Sequence, residues 1–322
     1  MDNVIAKSYI KYLIVGILLA FLIILLLPKD KTLAYKGLRN DYVKGGWIYE
    51  RLVDDNRPID IAFVGTSHTE GNVDDELIER GLKKNFQHLY HVANMAIPQH
   101  GRNMHYVITK EIFKYKTPSY LIIEVKAYES RKSHKLFSQV ADIEDVITPA
   151  FTINIFAFRD LFSSMRWQIA QYLIPQKMGS EYYADYGFRN NDPGISLDVK
   201  LLQKLVEKRK SIVDESYFGG NLDAIEFSLP RNYIRKIVQL AKVNGAKVIF
   251  LYLPYYGAPP EPGDINFYKN FGDVWIPPAE VLGNVDYWKD AGHLNTKGAY
   301  ALVPWLEDKF IDEINESKSK LQ

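Results

Sequence analysis

Ser67 lies in the run Gly65-Thr66-Ser67-His68-Thr69, after an apolar stretch and before a segment of helical character. A serine so placed sits at the C-terminal edge of a sheet. The backbone N–H groups that follow it at a helix start can stabilise an oxyanion. The glycine before it permits a tight exit from the strand. The run is not a Gly-x-Ser-x-Gly elbow, because position 69 is Thr. Asp290-Ala291-Gly292-His293 is the second chemical feature. Its carboxylate and imidazole share one short segment, so Asp290 can orient His293. His293 can then take the Ser67 proton and return it to a leaving group. Taken singly, Ser67 also reads as a turn or cap serine, and Asp290 and His293 as loop residues before the last helix. Together they point to nucleophilic acyl chemistry.

The elements that must position these residues alternate. Ile59 to Val64, His88 to Ala93, Tyr120 to Val125 and Lys247 to Leu253 are short apolar runs suited to buried strands. Between and after them, Asp74 to Leu82, Asn103 to Lys114, Arg231 to Val243 and Thr296 to Ile314 read as helices. Asn295 or Thr296 caps the last one, and Pro304 inside it is expected to kink or split it. A short helix is expected around Trp47 to Val53. Such alternation predicts a parallel sheet covered on both faces. Residues 130–230 interrupt it as a mostly helical insertion over the sheet's C-terminal edge, where such folds bind ligands. The insertion is rich in aromatics, among them Phe151, Phe158, Phe162, Trp167, Tyr182 and Tyr183. These are expected to form a satellite core, with membrane-surface contact by Phe151 to Ile174 as the alternative. A turn is expected at Asn190 to Gly194.

Tyr9 to Leu27 is apolar on every face of a helix and carries one charge, Lys11, near its end. Nineteen residues span about 28 Å, close to a bilayer's hydrocarbon core. The run exceeds a signal peptide's apolar core and ends in Pro28-Lys29-Asp30-Lys31, without a good cleavage site. It reads as an uncleaved membrane anchor. The chain thus divides into a tail at 1–8, an anchor at 9–27, a juxtamembrane connector at 28–57 and a domain at 58–322. Lys7 and Lys11 on one flank against Lys29, Lys31, Lys36 and Arg39 on the other do not place the domain outside and if anything lean the other way.

Composition bounds the remaining function classes. The 322 residues are 47% hydrophobic and 25% charged, which suits a folded core and excludes a disordered chain. Forty Lys and Arg against 39 Asp and Glu leave a formal charge of +1, so no global attraction to nucleic acid is expected. The absence of cysteine excludes disulfides, thiolate metal sites and a cysteine nucleophile. His88, His91, His100 and His105 lack a recognisable ligand spacing, so no metal is expected. No phosphate-binding glycine loop is present, and no cofactor is expected.

Ser67 in its Gly65-Thr66-Ser67 setting, with Asp290-x-x-His293 followed by Leu294-Asn295-x-x-Gly298-Ala299, resembles the SGNH/GDSL hydrolase superfamily. The resemblance covers roughly residues 57–128 and 231–315. It implies a three-layer α/β/α fold with a short parallel sheet, a nucleophile at Ser67, a base at His293 and an orienting acid at Asp290. Asn94-Met95-Ala96 resembles the second block of that family, which implies oxyanion donors near Asn94 and Ala96, although Ala96 stands where Gly is common. His68 is a further candidate for the site. The third block should follow Tyr120 to Val125, yet Lys126-Ala127-Tyr128 holds no Asn. With its anchor, the chain is similar to membrane-bound SGNH proteins of teichoic acid D-alanylation and alginate acetylation. That similarity implies an extracytoplasmic domain, a membrane-bound O-acyltransferase as partner and an envelope polysaccharide as substrate. The chemistry implied is serine acyl transfer or ester hydrolysis, with a non-catalytic scaffold in the same assembly as the alternative.

Overall fold

The computed structural model describes residues 2–38, 44–147, 156–173, 185–190, 192, 198–213 and 227–319. Five parallel strands form one sheet: β1 (Ile61–Val64), β2 (Val92–Asn94), β3 (Tyr120–Val125), β4 (Lys247–Tyr252) and β5 (Asp273–Trp275). Their order is β2-β1-β3-β4-β5, so the first and third strands are neighbours at the centre. The register pairs Val64 with Ile123 and Glu124 with Leu251. Every residue of β1 and β3 is buried, as befits strands covered on both faces.

The helices up to residue 173 are α1 (Asp2–Leu26), α2 (Lys31–Lys36), α3 (Gly45–Val53), α4 (Ser67–Asn72), α5 (Asp75–Asn85), α6 (Arg102–Tyr115), α7 (Phe137–Val140), α8 (Ile143–Ile147) and α9 (Ala157–Leu173). Later helices include Val199–Val213, Ser228–Val243 and the closing helix Thr296–Ser319. Alternate strand residues feed two cores. Ala62, Val64, Leu121 and Ile123 pack with α3, α6 and Ser228–Val243 on one face. Ile61, Phe63, Ile122 and Ile249 pack with α5 and the closing helix on the other. The result is the expected three-layer α/β/α architecture.

Several elements differ from expectation, each for a local reason. Strand β5 has only three residues, one of them the exposed Asp273, so no apolar run betrays it. Pro304 does not split the closing helix, which runs unbroken from Thr296 to Ser319. Pro304 lies on the exposed side, next to the half-exposed Tyr300 whose carbonyl it cannot bond, and water can serve that carbonyl. Helix α1 starts at Asp2, so residues 2–8 continue the apolar helix instead of forming a tail. Its segment Ala6–Ile24 is long and apolar enough to cross a membrane. Residues 28–57 are more than a connector: Ala34, Tyr35, Trp47, Ile48 and Leu52 enter the main core. The described part of the insertion is mostly helical, with non-helical chain at 130–134 and 185–190. Phe158, Phe162 and Tyr172 are exposed and build no satellite core. Phe151, Tyr182, Tyr183 and most of the Asn190–Gly194 turn lie outside the described residues.

Candidate active site

Thr66 follows β1 and caps α4, its hydroxyl oxygen accepting from the His68 N–H at 3.3 Å. Ser67 is therefore the first helical residue, and its N–H has no carbonyl within the helix to bond. The turn is fixed from beneath by Glu124, 2% exposed near the end of β3. Its carboxylate accepts the Thr66 N–H at 2.7 Å, the Thr66 hydroxyl at 2.8 Å, the Thr69 N–H at 3.1 Å and the Thr69 hydroxyl at 2.6 Å. Lys126 adds an ion pair at 3.3 Å. Burial alone raises the Glu124 carboxyl, but Lys126, His68 and these hydrogen bonds outweigh it. The group is held well below the ordinary carboxylate range. Gly65 is needed for closeness, not for a left-handed backbone. A Cβ there would meet the Thr69 side chain and lie 2.6 Å from Glu124 Oε2.

The second half of the site hangs from Trp288 and Leu294, both fully buried and joined by an antiparallel bridge. They tie off the loop that carries Asp290 and His293. Asn295 then caps the closing helix, its Oδ1 accepting the Gly298 N–H at 3.0 Å. Within the loop, both Asp290 oxygens lie 2.9 Å from His293 Nδ1. One of them also accepts the Gly292 and His293 N–H groups at 2.6 and 2.9 Å. Burial raises the Asp290 carboxyl, and the bonds from His293 and the two backbone N–H groups more than reverse it. The group stays ionised below its usual range. An ionised carboxylate only accepts, so Nδ1 carries the ring proton and Nε2 is left as the acceptor. That Nε2 stands 2.8 Å from Ser67 Oγ. Ser67, His293 and Asp290 thus form a continuous relay at the C-terminal edge of the sheet, a geometry that can deprotonate a serine as it attacks a carbonyl.

The other expected site residues are placed differently. His68 is buried, its Nδ1 donating to the Leu253 carbonyl at 3.0 Å. Its ring meets that of His293 edge to face, with centroids 5.0 Å apart. It packs the base from the side. Asn94 is wholly buried at the end of β2. Its Nδ2 donates to the Thr69 and Val73 carbonyls, both at 2.8 Å. Its Oδ1 accepts from Lys44 and from the Ala96 N–H, each at 3.2 Å. Both amide hydrogens of Asn94 and the Ala96 N–H are therefore spent inside the fold. These two residues brace α4 instead of facing an oxyanion. Among the described residues, no group of three His, Asp or Glu side chains is placed to hold a metal.

Sequence reasoning missed Glu124 and the insertion's Asn190. A lone acid inside the apolar run Tyr120-Leu121-Ile122-Ile123-Glu124-Val125 was the available signal for the first. Asn190 donates to the carbonyls of Gly71 at 2.8 Å and Leu294 at 3.2 Å, so it joins the serine helix to the histidine loop. Beside Thr66, a small open cleft is lined by His100, Lys126, Tyr128 and Ser130 among others. Lys126 stands there at the third block, where the resemblance calls for Asn.

Glu70, three residues beyond Ser67, is buried near Lys44, Arg189 and Lys289. Burial outweighs these cations and pushes its carboxyl up to about 7. The unfolded chain releases that proton near 4.5, so between these pH values the folded state binds more protons and stability falls as pH rises. Glu70→Gln removes this dependence. Urea titrations at pH 5 and pH 8 are expected to show the variant gaining on the order of 3 kcal/mol relative to wild type at the higher pH. An equal difference at both pH values contradicts the assignment.

No family model matches the chain, and no curated protein matches it.

Proposed function

We propose that this chain is a membrane-anchored serine O-acyltransferase or acylesterase that acts on a cell-envelope polysaccharide. The observation that supports it is the relay of Ser67, His293 and Asp290, drawn from segments 226 residues apart and closed at 2.8 Å. In this mechanism Ser67 Oγ attacks the acyl carbonyl while its proton passes to His293 Nε2. Collapse of the tetrahedral intermediate breaks the bond to the donor alkoxide, which leaves with that proton. A sugar hydroxyl or water then attacks the acyl-serine and gives its proton to His293, which passes it to Ser67 Oγ as the acyl–Oγ bond breaks. The Ser67 N–H, in the first turn of α4, is a backbone oxyanion donor at the nucleophile. The polysaccharide acceptor, the extracytoplasmic placement and a membrane-bound O-acyltransferase partner follow the resemblance, and α1 is read as the anchor.

A non-catalytic scaffold is the second reading. It is favoured by one observation, that Asn94 and Ala96 spend their donors elsewhere and Lys126 replaces the third-block Asn. A fluorophosphonate probe separates the two. The full chain in membranes is treated with probe and the adduct mapped by mass spectrometry, with Ser67→Ala alongside. The enzyme reading expects a single adduct on Ser67, absent from the variant. A folded wild-type chain that takes no label at Ser67 supports the scaffold.

A further inference from the structure

Helix α9 has the wrong polarity for a helix in water. The side turned to the domain carries Asp160, Ser164, Gln168 and Gln171, all buried. The outward side carries Phe158, 79% exposed, Phe162, 56%, Ile169, 37%, and Leu173, 74%. At about 100° per residue these four fall within roughly 60° of one another, so they form one stripe. Arg159 and Arg166 run along its flank, both exposed.

The inward polar groups have work that explains their place. Asp160 accepts the Ser133 hydroxyl at 2.6 Å. Gln168 donates to the Leu27 carbonyl at 3.3 Å, and Gln171 donates to the Pro28 carbonyl at 3.0 Å and accepts the Asp30 N–H at 3.1 Å. The two glutamines hold the chain just past the end of α1, where its helical pairing stops. Among the described residues the apolar stripe has no comparable task. The stripe is also continuous with α1. The Phe162 ring meets Phe21 edge to face at 6.1 Å, and Phe21 lies within the apolar span Ala6–Ile24.

We infer that the outward stripe of α9 is immersed in the lipid bilayer beside α1, as a second membrane contact. The inference rests on the reading of α1 as an anchor. If lipid surrounds Phe21, the aromatic that touches it meets the same lipid, and so does the stripe that runs on from it. Burying such side chains in acyl chains is favourable, and flanking arginines can reach the headgroups. Two contacts also do what one helix cannot. A single span leaves the domain free to rotate about its axis, whereas α1 with α9 fixes which side of the domain faces the membrane.

The absence of native cysteine makes the test direct. The full chain is made with one cysteine at a time, Leu18→Cys, Phe158→Cys, Ile169→Cys or Tyr300→Cys. All four positions are exposed, so each label leaves the packing intact. Each variant carries a bimane label and is placed in phosphatidylcholine–phosphatidylglycerol vesicles at high lipid-to-protein ratio, with and without brominated lipid. The expected result is loss of fluorescence in brominated lipid at Leu18, Phe158 and Ile169, and none at Tyr300. Quenching at Leu18 with a label at Phe158 or Ile169 as bright as that at Tyr300 overturns the inference and leaves the anchor standing. An unquenched label at Leu18 removes the anchor and the inference with it.

Discussion

His293→Ala is expected to slow acylation of Ser67 by a fluorophosphonate by ~10⁴-fold or more while the chain stays folded. Without Nε2 at 2.8 Å, nothing takes the Ser67 proton as Oγ attacks. A neutral serine hydroxyl is a weak nucleophile on its own. Asp290→Asn tests the same relay from the other end. The amide cannot hold the Nδ1 proton as the carboxylate does, so the imidazole turns its wrong nitrogen to Ser67, and a loss of about 10⁴-fold is expected by analogy with other relays. The cost in stability should be small for His293, whose side chain is 27% exposed and whose ring contacts lie at the rim of the fold. The measurement is the rate of adduct formation per folded molecule, with folding followed by circular dichroism. A His293→Ala chain that labels at the wild-type rate removes the relay from the mechanism.

Glu124→Gln is expected to hurt both stability and reactivity. One oxygen of the carboxylate takes the Thr66 N–H, the Thr69 N–H and the Thr69 hydroxyl, and the other takes the Thr66 hydroxyl and pairs with Lys126. An amide has one acceptor oxygen and two donor hydrogens, so wherever it turns, donors face donors. Leaving buried donors unmet costs about 1–3 kcal/mol for a neutral group and more for a charged one, so a loss of roughly 3 kcal/mol is expected from the denaturation midpoint. Ser67 sits between the two threonines that Glu124 holds, so its labelling rate should also drop among the molecules that remain folded. Glu124 acts through the turn, not on the substrate. A variant that loses stability yet labels Ser67 at the wild-type rate shows that the carboxylate supports the sheet alone.

Much of the architecture was legible because it depends on near neighbours. The run Tyr120–Val125 is a strand because five apolar or aromatic residues in six follow the break at Pro118, and the structure keeps those limits. The serine's place at a strand-to-helix turn follows from Ile61–Val64 and the capping Thr66. The three-residue spacing of Asp290 and His293 brings their side chains together on one loop, which needs no distant information. The apolar helix at the N-terminus declares itself by length and composition alone.

Other features depended on which distant residues meet. Asn94 resembled a block that supplies an oxyanion donor, but its amide is taken by carbonyls 21 and 25 residues earlier. Glu124 looked like an exception in an apolar strand until its partners arrived from 55 and 58 residues away. Gly65 has its identity set by that same carboxylate and by Thr69. The aromatics of α9 read as core because sequence reports polarity but not direction, and only packing turned Asp160 and Gln168 inward and Phe158 outward. By itself, then, the sequence determined four of the five strands, the longer helices and the presence of a serine, a histidine and an aspartate with compatible chemistry. Only the tertiary structure decided which polar groups are free to act, because each donor and acceptor can be used once and its partner is chosen by the fold.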